Sequence, residues 1–389
     1  MTEWKEYKLG EIGVVITGKT PSARNPEDWG DEVLFVTPSD FRNYGKYANN
    51  SERKLSNIGA KRLVNKMLPP KSILVTCIGS DMGKVVMSKT NCITNQQINA
   101  LIPDKQFDND FLYYSLISIY DTLRIMGGDG TAVPIVNKGD FEKIVLSIPS
   151  LDEQRRIAAI LTSLDNKIDL LHRENATLEA MAETLFRQWF VVEAKEEWEE
   201  GKLGDILSVK GGTTPSTKEP NFWDGDIAWT SPRDVTTLNG LYLFETEKKI
   251  TQKGLEQISS GLLPAGTLLM SSRAPVGVLA FAEIPLAINQ GYIAILDDKG
   301  YPKEFIYLWL KANMDLVHSY SNGSTFMEIS KSAFKSLDIV IPTKAEVVGF
   351  VLSVKPFFEK IKLNEKQIRL IIRQRDSLLP KLMSNEINL

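Results

Sequence analysis

The chain is written twice, and no other feature of the sequence constrains its fold as strongly. EWKEYKLGEIG at Glu3 to Gly13 recurs as EWEEGKLGDIL from Glu197, so Trp4 and Trp198, like Lys8 and Lys202, lie 194 positions apart. The same offset carries Thr20-Pro21-Ser22 onto Thr214-Pro215-Ser216, Pro26 onto Pro220, and Trp29 onto Trp223. It also carries Pro38 and Asp40 onto Pro232 and Asp234, Gly83 onto Gly277, Asn95-Gln96 onto Asn289-Gln290, and Phe111 onto Phe305. After one deletion the offset becomes 193, linking Phe141 to Phe334 and Ile148-Pro149 to Ile341-Pro342. A register kept this long predicts two copies of one domain.

The duplication settles a local ambiguity. GVVITGKTPS, from Gly13 to Ser22, fits the phosphate-loop pattern G-x-x-x-x-G-K-[ST]. In the second copy Lys19 becomes Thr213 and Gly13 becomes Leu207, while Thr-Pro-Ser persists, so a turn is preserved and a phosphate cradle is not. A phosphate loop also runs from a strand straight into a helix N-terminus. Here Val14-Val15-Ile16 reads as strand, but Pro21 to Pro26 reads as loop.

Each copy reads as mixed α and β. Lys71 to Ile78 and Thr267 to Met270 are strand-like runs rich in apolar and β-branched residues. Phe107 to Met126 and Lys303 to Tyr320 have helical periodicity, and their aromatics Tyr113, Tyr114, Tyr307 and Trp309 are expected in the core.

After Pro149 the pattern changes. Ile157, Leu161, Leu164, Ile168, Leu171, Asn175, Leu178, Ala182, Leu185 and Trp189 step by four and three, a seam of roughly 50 Å at 1.5 Å per residue. The second copy repeats it with Phe350, Val354, Phe357, Ile361, Asn364, Ile368, Ile371, Arg375, Leu378 and Leu382. One such seam alone leaves a long apolar stripe in water; two of matching length can cover each other. A pseudo-twofold requires them to run antiparallel with reciprocal contacts. Pairing Asn175 with Asn364 satisfies this, because the reciprocal pair is Leu171 with Ile368. That register sets Ala182 against Phe357, Trp189 against Phe350, and Arg375 against Leu164. A buried Asn pair at the centre would fix the register.

The expected fold is α+β. Two similar globular mixed α/β domains, residues 1–150 and 193–343, alternate with two long spacer helices, 151–192 and 344–389. The helices form an antiparallel coiled coil in a pseudo-twofold, circular arrangement. A chain of 389 residues, 43% hydrophobic, has the length and apolar content for two such cores. Cys77 and Cys92 are too few for a disulfide framework and sit among apolar residues. His172 and His318 have no metal-ligand spacing, and no metal is expected. The charged opening MTEWKEYK and the lack of an apolar run of about 18 residues point to a cytoplasmic chain with no membrane partner.

The order of these features resembles the specificity subunit of type I restriction–modification enzymes. The resemblance rests on W-x-x-x-x-L-G-[ED]-I opening each half, on G-[KT]-T-P-S, on N-Q-[QG], and on I-P-S-L-D-E-Q-R-R-I leading into a long helix. The segment LEAMAETLFRQWF, Leu178 to Phe190, is the most characteristic. The second helix departs from the pattern at Ile341-Pro342-Thr343-Lys344-Ala345-Glu346, where the Glu-Gln pair is missing.

The resemblance implies that each globular repeat is a target recognition domain reading one half of a split sequence in double-stranded DNA. It implies that the paired helices are a spacer and dock two methyltransferase subunits, joined by restriction subunits. S-adenosylmethionine, ATP and magnesium would reside in those partners, leaving this chain without a cofactor and without catalysis of its own. The alternative is a scaffold that organises protein partners without DNA. The net charge of −3 makes the chain poorly equipped to supply phosphate contacts alone, so partners would enclose the duplex.

Base readout needs paired donors presented from loops. The candidates in the first domain are Lys19, Thr20, Arg24, Ser39, Arg42, Asn43, Tyr44, Ser80, Asp81, Asn95, Gln96 and Gln97. In the second they are Thr213, Thr214, Lys218, Ser231, Arg233, Ser271, Ser272, Arg273, Asn289 and Gln290. Asn95-Gln96 and Asn289-Gln290 occur in both copies, so a turn or a buried hydrogen-bonding role competes with DNA contact there.

Overall fold

The computed structural model describes residues 4–43, 45–128, 135–322 and 327–387. The chain folds as two compact units, Met1–Leu170 with Arg369–Leu389, and Leu171–Ile368.

The globular part of the first unit, the first head, is built on a five-stranded sheet. Its order is Gly13–Thr17, Ile98–Pro103, Ile73–Thr76, Val85–Ser88 and Tyr47–Ala48, antiparallel except for the last pair. Strand Ile73–Thr76 is buried at every position, as a central strand covered on both faces must be. A smaller sheet orders Trp29–Gly30, Arg53–Leu55, Val33–Val36 and Cys92–Thr94. Lys5–Lys8 pairs with Val145–Ile148, tying the start of the domain to its end.

The second head repeats this plan, with a small sheet of three strands, Lys248–Ile250, Trp223–Thr230 and Leu286–Ile288, in place of four. Its larger sheet runs Ser208–Lys210, Tyr292–Leu296, Leu268–Ser271, Leu279–Ala282 and Tyr242–Leu243, again with a parallel last pair. The parallel pairs Tyr47↔Met87 and Tyr242↔Phe281 show the copies in register at the sheet edge.

The helices expected over Phe107–Met126 and Lys303–Tyr320 are each broken once. Asn109–Ser118 gives way to Tyr120–Gly128, and Lys303–Ala312 to Met314–Ser319. Ile119 and Asn313 leave the helical region at ψ 21° and 26°. Asn313 Nδ2 also donates to the Trp309 carbonyl at 2.8 Å, a side-chain bond that competes with the next helical turn. Tyr113, Tyr114, Tyr307 and Trp309 are buried.

The first spacer helix is Leu151–Arg187, followed by a π-helical turn over Gln188–Val192; the second is Lys344–Met383. The border between the units falls inside both helices. In the second unit the Trp189 and Phe350 rings lie 5.8 Å apart and Asn364 Nδ2 donates to Asn175 Oδ1 at 2.8 Å, which makes the pairing antiparallel. In the first, Arg375 reaches Asp165 at 2.8 Å, so its guanidinium meets a carboxylate next to Leu164.

Of the seam, Ile157, Leu161, Leu171, Ala182, Phe350, Val354, Ile361, Asn364, Ile368, Ile371 and Leu382 are buried. Leu164, Ile168, Asn175, Leu178, Leu185, Phe357, Arg375 and Leu378 are half-buried. Trp189 is 37% exposed and still meets Phe350, and on the π turn the next residue, Phe190, is half-buried beside it. Phe190 packs at 5.0 Å from Phe305 and 4.9 Å from Phe350.

The helices also bury residues beside the seam, so helix pairing and packing on a head occur together. Ala158 and Leu161 share a core with Phe111, Phe141, Leu379 and Leu382. Phe186, Val351 and Phe358 share one with Phe281, Phe305 and Tyr307. An apolar stripe wider than a two-stranded seam is the signature of that double duty. At the start of the second helix Glu346 stands where Glu153 stands in the first copy, so half of the Glu-Gln pair survives. Its carboxylate accepts from the Trp198 indole at 2.9 Å, and Lys195 and Thr343 hold it down to about 2.

Candidate nucleic-acid interface

After strand Gly13–Thr17 the chain passes close to the loop that carries Asn95 and Gln96. A Cβ on Gly18 would lie 2.2 Å from the Asn95 carbonyl, and one on Gly212 would lie 1.7 Å from that of Ile288, so both copies need glycine there. Lys19 N then donates to the Thr94 carbonyl at 2.8 Å. Thr20 Oγ1 donates to Gln96 Oε1 at 2.8 Å, and Thr214 Oγ1 to Gln290 Oε1 at 2.6 Å. The segment beyond is loop, and a 3-10 turn begins at Pro26–Asp28, so no helix N-terminus faces Lys19.

Asn95 and Asn289 brace their own turns. Asn95 Oδ1 accepts from Gln97 N at 3.1 Å, and Asn289 Oδ1 from Gly291 N at 2.8 Å, and both are buried. Gln96 and Gln290 are exposed at the tips of those turns, and Gln97 is half-buried against the Asn95 amide. Lys19, Arg24 and Lys218 are exposed on the facing loops. Thr213 is committed inward, its hydroxyl donating to Gln257 O and accepting from Ser259 N.

A second loop leaves the small sheet at Thr37 in one head and Ser231 in the other. Asp40 organises the first, accepting from Thr37 N at 2.8 Å and Glu52 N at 2.9 Å. Asp234 repeats both contacts with Ser231 N at 2.8 Å and Glu247 N at 3.0 Å. These carboxylates are not among the sequence candidates, although their shared 194 offset marks them. The 3-10 segment Pro38–Asn43 carries Ser39, Arg42 and Asn43, and Tyr44 lies outside the described residues. Ser39 is exposed and shares a 2.8 Å hydrogen bond with Thr37. In the second head Arg233 is exposed, with its Nε 3.8 Å from Glu247.

The third group of candidates divides. Ser80 is exposed, and Asp81 pairs with Lys84 at 2.6 Å. Ser271 and Ser272 are both buried, and the Ser271 hydroxyl lies between Pro275 O at 2.6 Å and Val278 N at 2.9 Å. Neither serine presents its hydroxyl to a groove. Arg273 is half-buried and bridged to Glu328 through the backbone.

The small sheets carry cations that sequence patterning does not single out. The Arg53 guanidinium stacks 3.4 Å from the Trp29 ring centroid, and Lys248 lies 5.5 Å from that of Trp223. Burial pushes the Cys77 and Cys92 thiols up to about 11 and about 12, which keeps both unreactive. Among the described residues no group of three His, Cys, Asp or Glu is placed to hold a metal, and no helix is long and apolar enough to cross a membrane.

The chain matches the family model described as the type I restriction modification DNA specificity domain twice, over residues 1–180 and 195–373. It is 27% identical to the MjaIX specificity subunit of a type I restriction enzyme from Methanocaldococcus jannaschii, covering 99% of this chain and 94% of that one. It is 24% identical to the HindI specificity subunit from Haemophilus influenzae over the whole of both chains. The crystal structure of a type I restriction-modification S subunit from M. genitalium superposes with a TM-score of 0.58 at 16% identity, covering 98% of this chain and 96% of that one, a likeness of fold. Two tandem matches spanning nearly the whole sequence place the chain in the type I restriction–modification DNA specificity family.

Proposed function

We propose that this chain is the DNA specificity subunit of a type I restriction–modification complex, each head reading one half of a split duplex sequence. One observation carries the reading: two heads of the same topology present different donors on equivalent loops. Lys19 and Arg24 of the first head occupy the positions held by the half-buried Thr213 and the exposed Lys218 in the second, each set beside an equivalent Thr–Gln pair. Donors that differ on a common frame suit two half-sites of different sequence. The paired helices serve as spacer and as docking surface for two methyltransferase subunits, with restriction subunits completing the complex. S-adenosylmethionine, ATP and magnesium belong to those partners, and this chain contributes readout without catalysis.

The test assembles the chain with its methyltransferase subunits and maps methylation on a duplex library. The expected result is one bipartite sequence. Exchanging residues 1–150 for the head of another family member should change one half of it. No sequence preference would support a protein scaffold, and a change in both halves would overturn the two-reader model.

A further inference from the structure

The heads fasten the same point of their reading loops in opposite ways. In each, the second loop ends at the parallel edge strand, Tyr47–Ala48 or Tyr242–Leu243, and the residue before it pairs with the neighbouring strand. Met87 N donates to Lys46 O at 2.8 Å, and Phe281 N to Leu241 O at 2.9 Å, so Lys46 and Leu241 are counterparts.

In the first head the loop reaches out to the helices. The Lys46 side chain is 4% exposed. Its Nζ lies 2.5 Å from Asp110 Oδ1 and donates to Thr162 Oγ1 of the first spacer helix at 2.8 Å, against the face of Tyr114. Tyr114 OH donates in turn to Asp165 at 2.5 Å, and Asp165 also holds Arg375 of the second spacer helix. In the second head the helix reaches in. Glu365 of the second spacer helix accepts from Leu241 N at 2.7 Å and Tyr242 N at 3.0 Å. A Cβ on Gly240 would lie 2.7 Å from that carboxylate, so the loop is shaped around it.

We propose that Lys46 and Glu365 are positioning residues for DNA reading, each fixing one head's reading loop against the spacer helix beside it and each governing discrimination in one half-site. The proposal rests on the two-reader function. A buried ion pair and a buried carboxylate with two backbone donors are costly to build and rigid once satisfied. They recur at one place in the fold with inverted polarity, which marks the anchoring of the loop as the common requirement. Residues at the loop tip can then differ while their base point stays fixed.

The experiment uses the chain assembled with its methyltransferase subunits, and compares methylation of the cognate duplex with duplexes substituted at one base pair in either half. Exchange of residues 1–150 first assigns the halves to the heads. Lys46→Met should lower discrimination in the first head's half about tenfold, equivalent to ~1.4 kcal/mol, and leave the other half unchanged. Glu365→Gln, assayed at pH 8 where the native carboxyl offers both oxygens, leaves one acceptor to two donors and should do the reverse. Thr162→Val removes the helix side of the first latch alone and keeps the test open if Lys46→Met does not fold. Equal effects on both halves, or lowered melting temperatures with discrimination intact, would overturn the proposal. A head exchange that alters both halves would overturn the two-reader function instead.

Discussion

Asn364 is wholly buried in the helix pair, where its Nδ2 bonds Asn175 at 2.8 Å and Glu174 at 3.1 Å while its Oδ1 has no hydrogen-bond partner. Such a residue contributes register rather than stability. Asn364→Ala should still destabilise the chain by about 1–3 kcal/mol, since it leaves a small cavity and removes the donor that Asn175 Oδ1 accepts from. Replacing both asparagines by leucine should be neutral or stabilising, as replacement of buried polar pairs often is. Urea midpoints of the single and double variants check this, and a double variant weaker than Asn364→Ala would refute it. Glu365 gives a pH signature at the same scale. Burial pushes its carboxyl from the ordinary 4.5 up to about 7, against the pull of the Leu241 and Tyr242 amides. Folding thus favours the protonated form, so its contribution is fully present below pH 4.5 and is lost as pH rises through about 7. Between pH 5 and pH 8 the urea midpoint of the second unit should fall more in the native chain than in Glu365→Gln.

At the scale of elements, the duplication, the central strands and the helix register were legible because each leaves a repeating mark. Offsets recur, apolar residues run or alternate, and the two asparagines face each other at one register only. The π turn over Gln188–Val192 was not legible, because one extra residue in a helical turn changes no composition. The heptad assigns Trp189 to the seam, where it meets Phe350, and only the aromatic cluster of Phe186, Phe305 and Phe350 shows why Phe190 joins it there. Loop readers were harder still. Ser271 ends a buried strand and Ser272 follows it, with nothing local to show that their side chains turn inward, while Lys46 and Glu365 owe their contacts to partners 116 and about 124 positions away. The π turn makes a prediction of its own. Phe190→Ala should cost about 1–3 kcal/mol and Trp189→Ala about 1 or less, because the half-buried Phe190 ring packs on Phe305 and Phe350 while Trp189 is exposed. Thermal or urea unfolding of the two variants in the reverse order would mean that the heptad continues unbroken.

Across the whole molecule the two units differ in how the chain closes them. The second is one continuous stretch, Leu171–Ile368, whereas the first combines Met1–Leu170 with Arg369–Leu389. Its core is therefore completed by residues that arrive last. Leu379 and Leu382 are buried beside Leu161, Phe111 and Phe141, and Ser115 Oγ lies 3.5 Å from Met383 Sδ. Each fully buried leucine contributes about 1.5–3 kcal/mol, and Arg375 is also the partner of Asp165. Ending the chain after Ile368 should thus weaken the first head by several kcal/mol and affect the second far less, because the second unit, Leu171–Ile368, keeps its whole span. Hydrogen exchange reads the two separately. Protection should fall in Ile73–Thr76 and Ile98–Pro103 and persist in Leu268–Ser271 and Tyr292–Leu296. Equal loss in both sheets would mean that the units fold as one cooperative body, and no loss in either would mean that the returning helix end contributes nothing to the head it packs against.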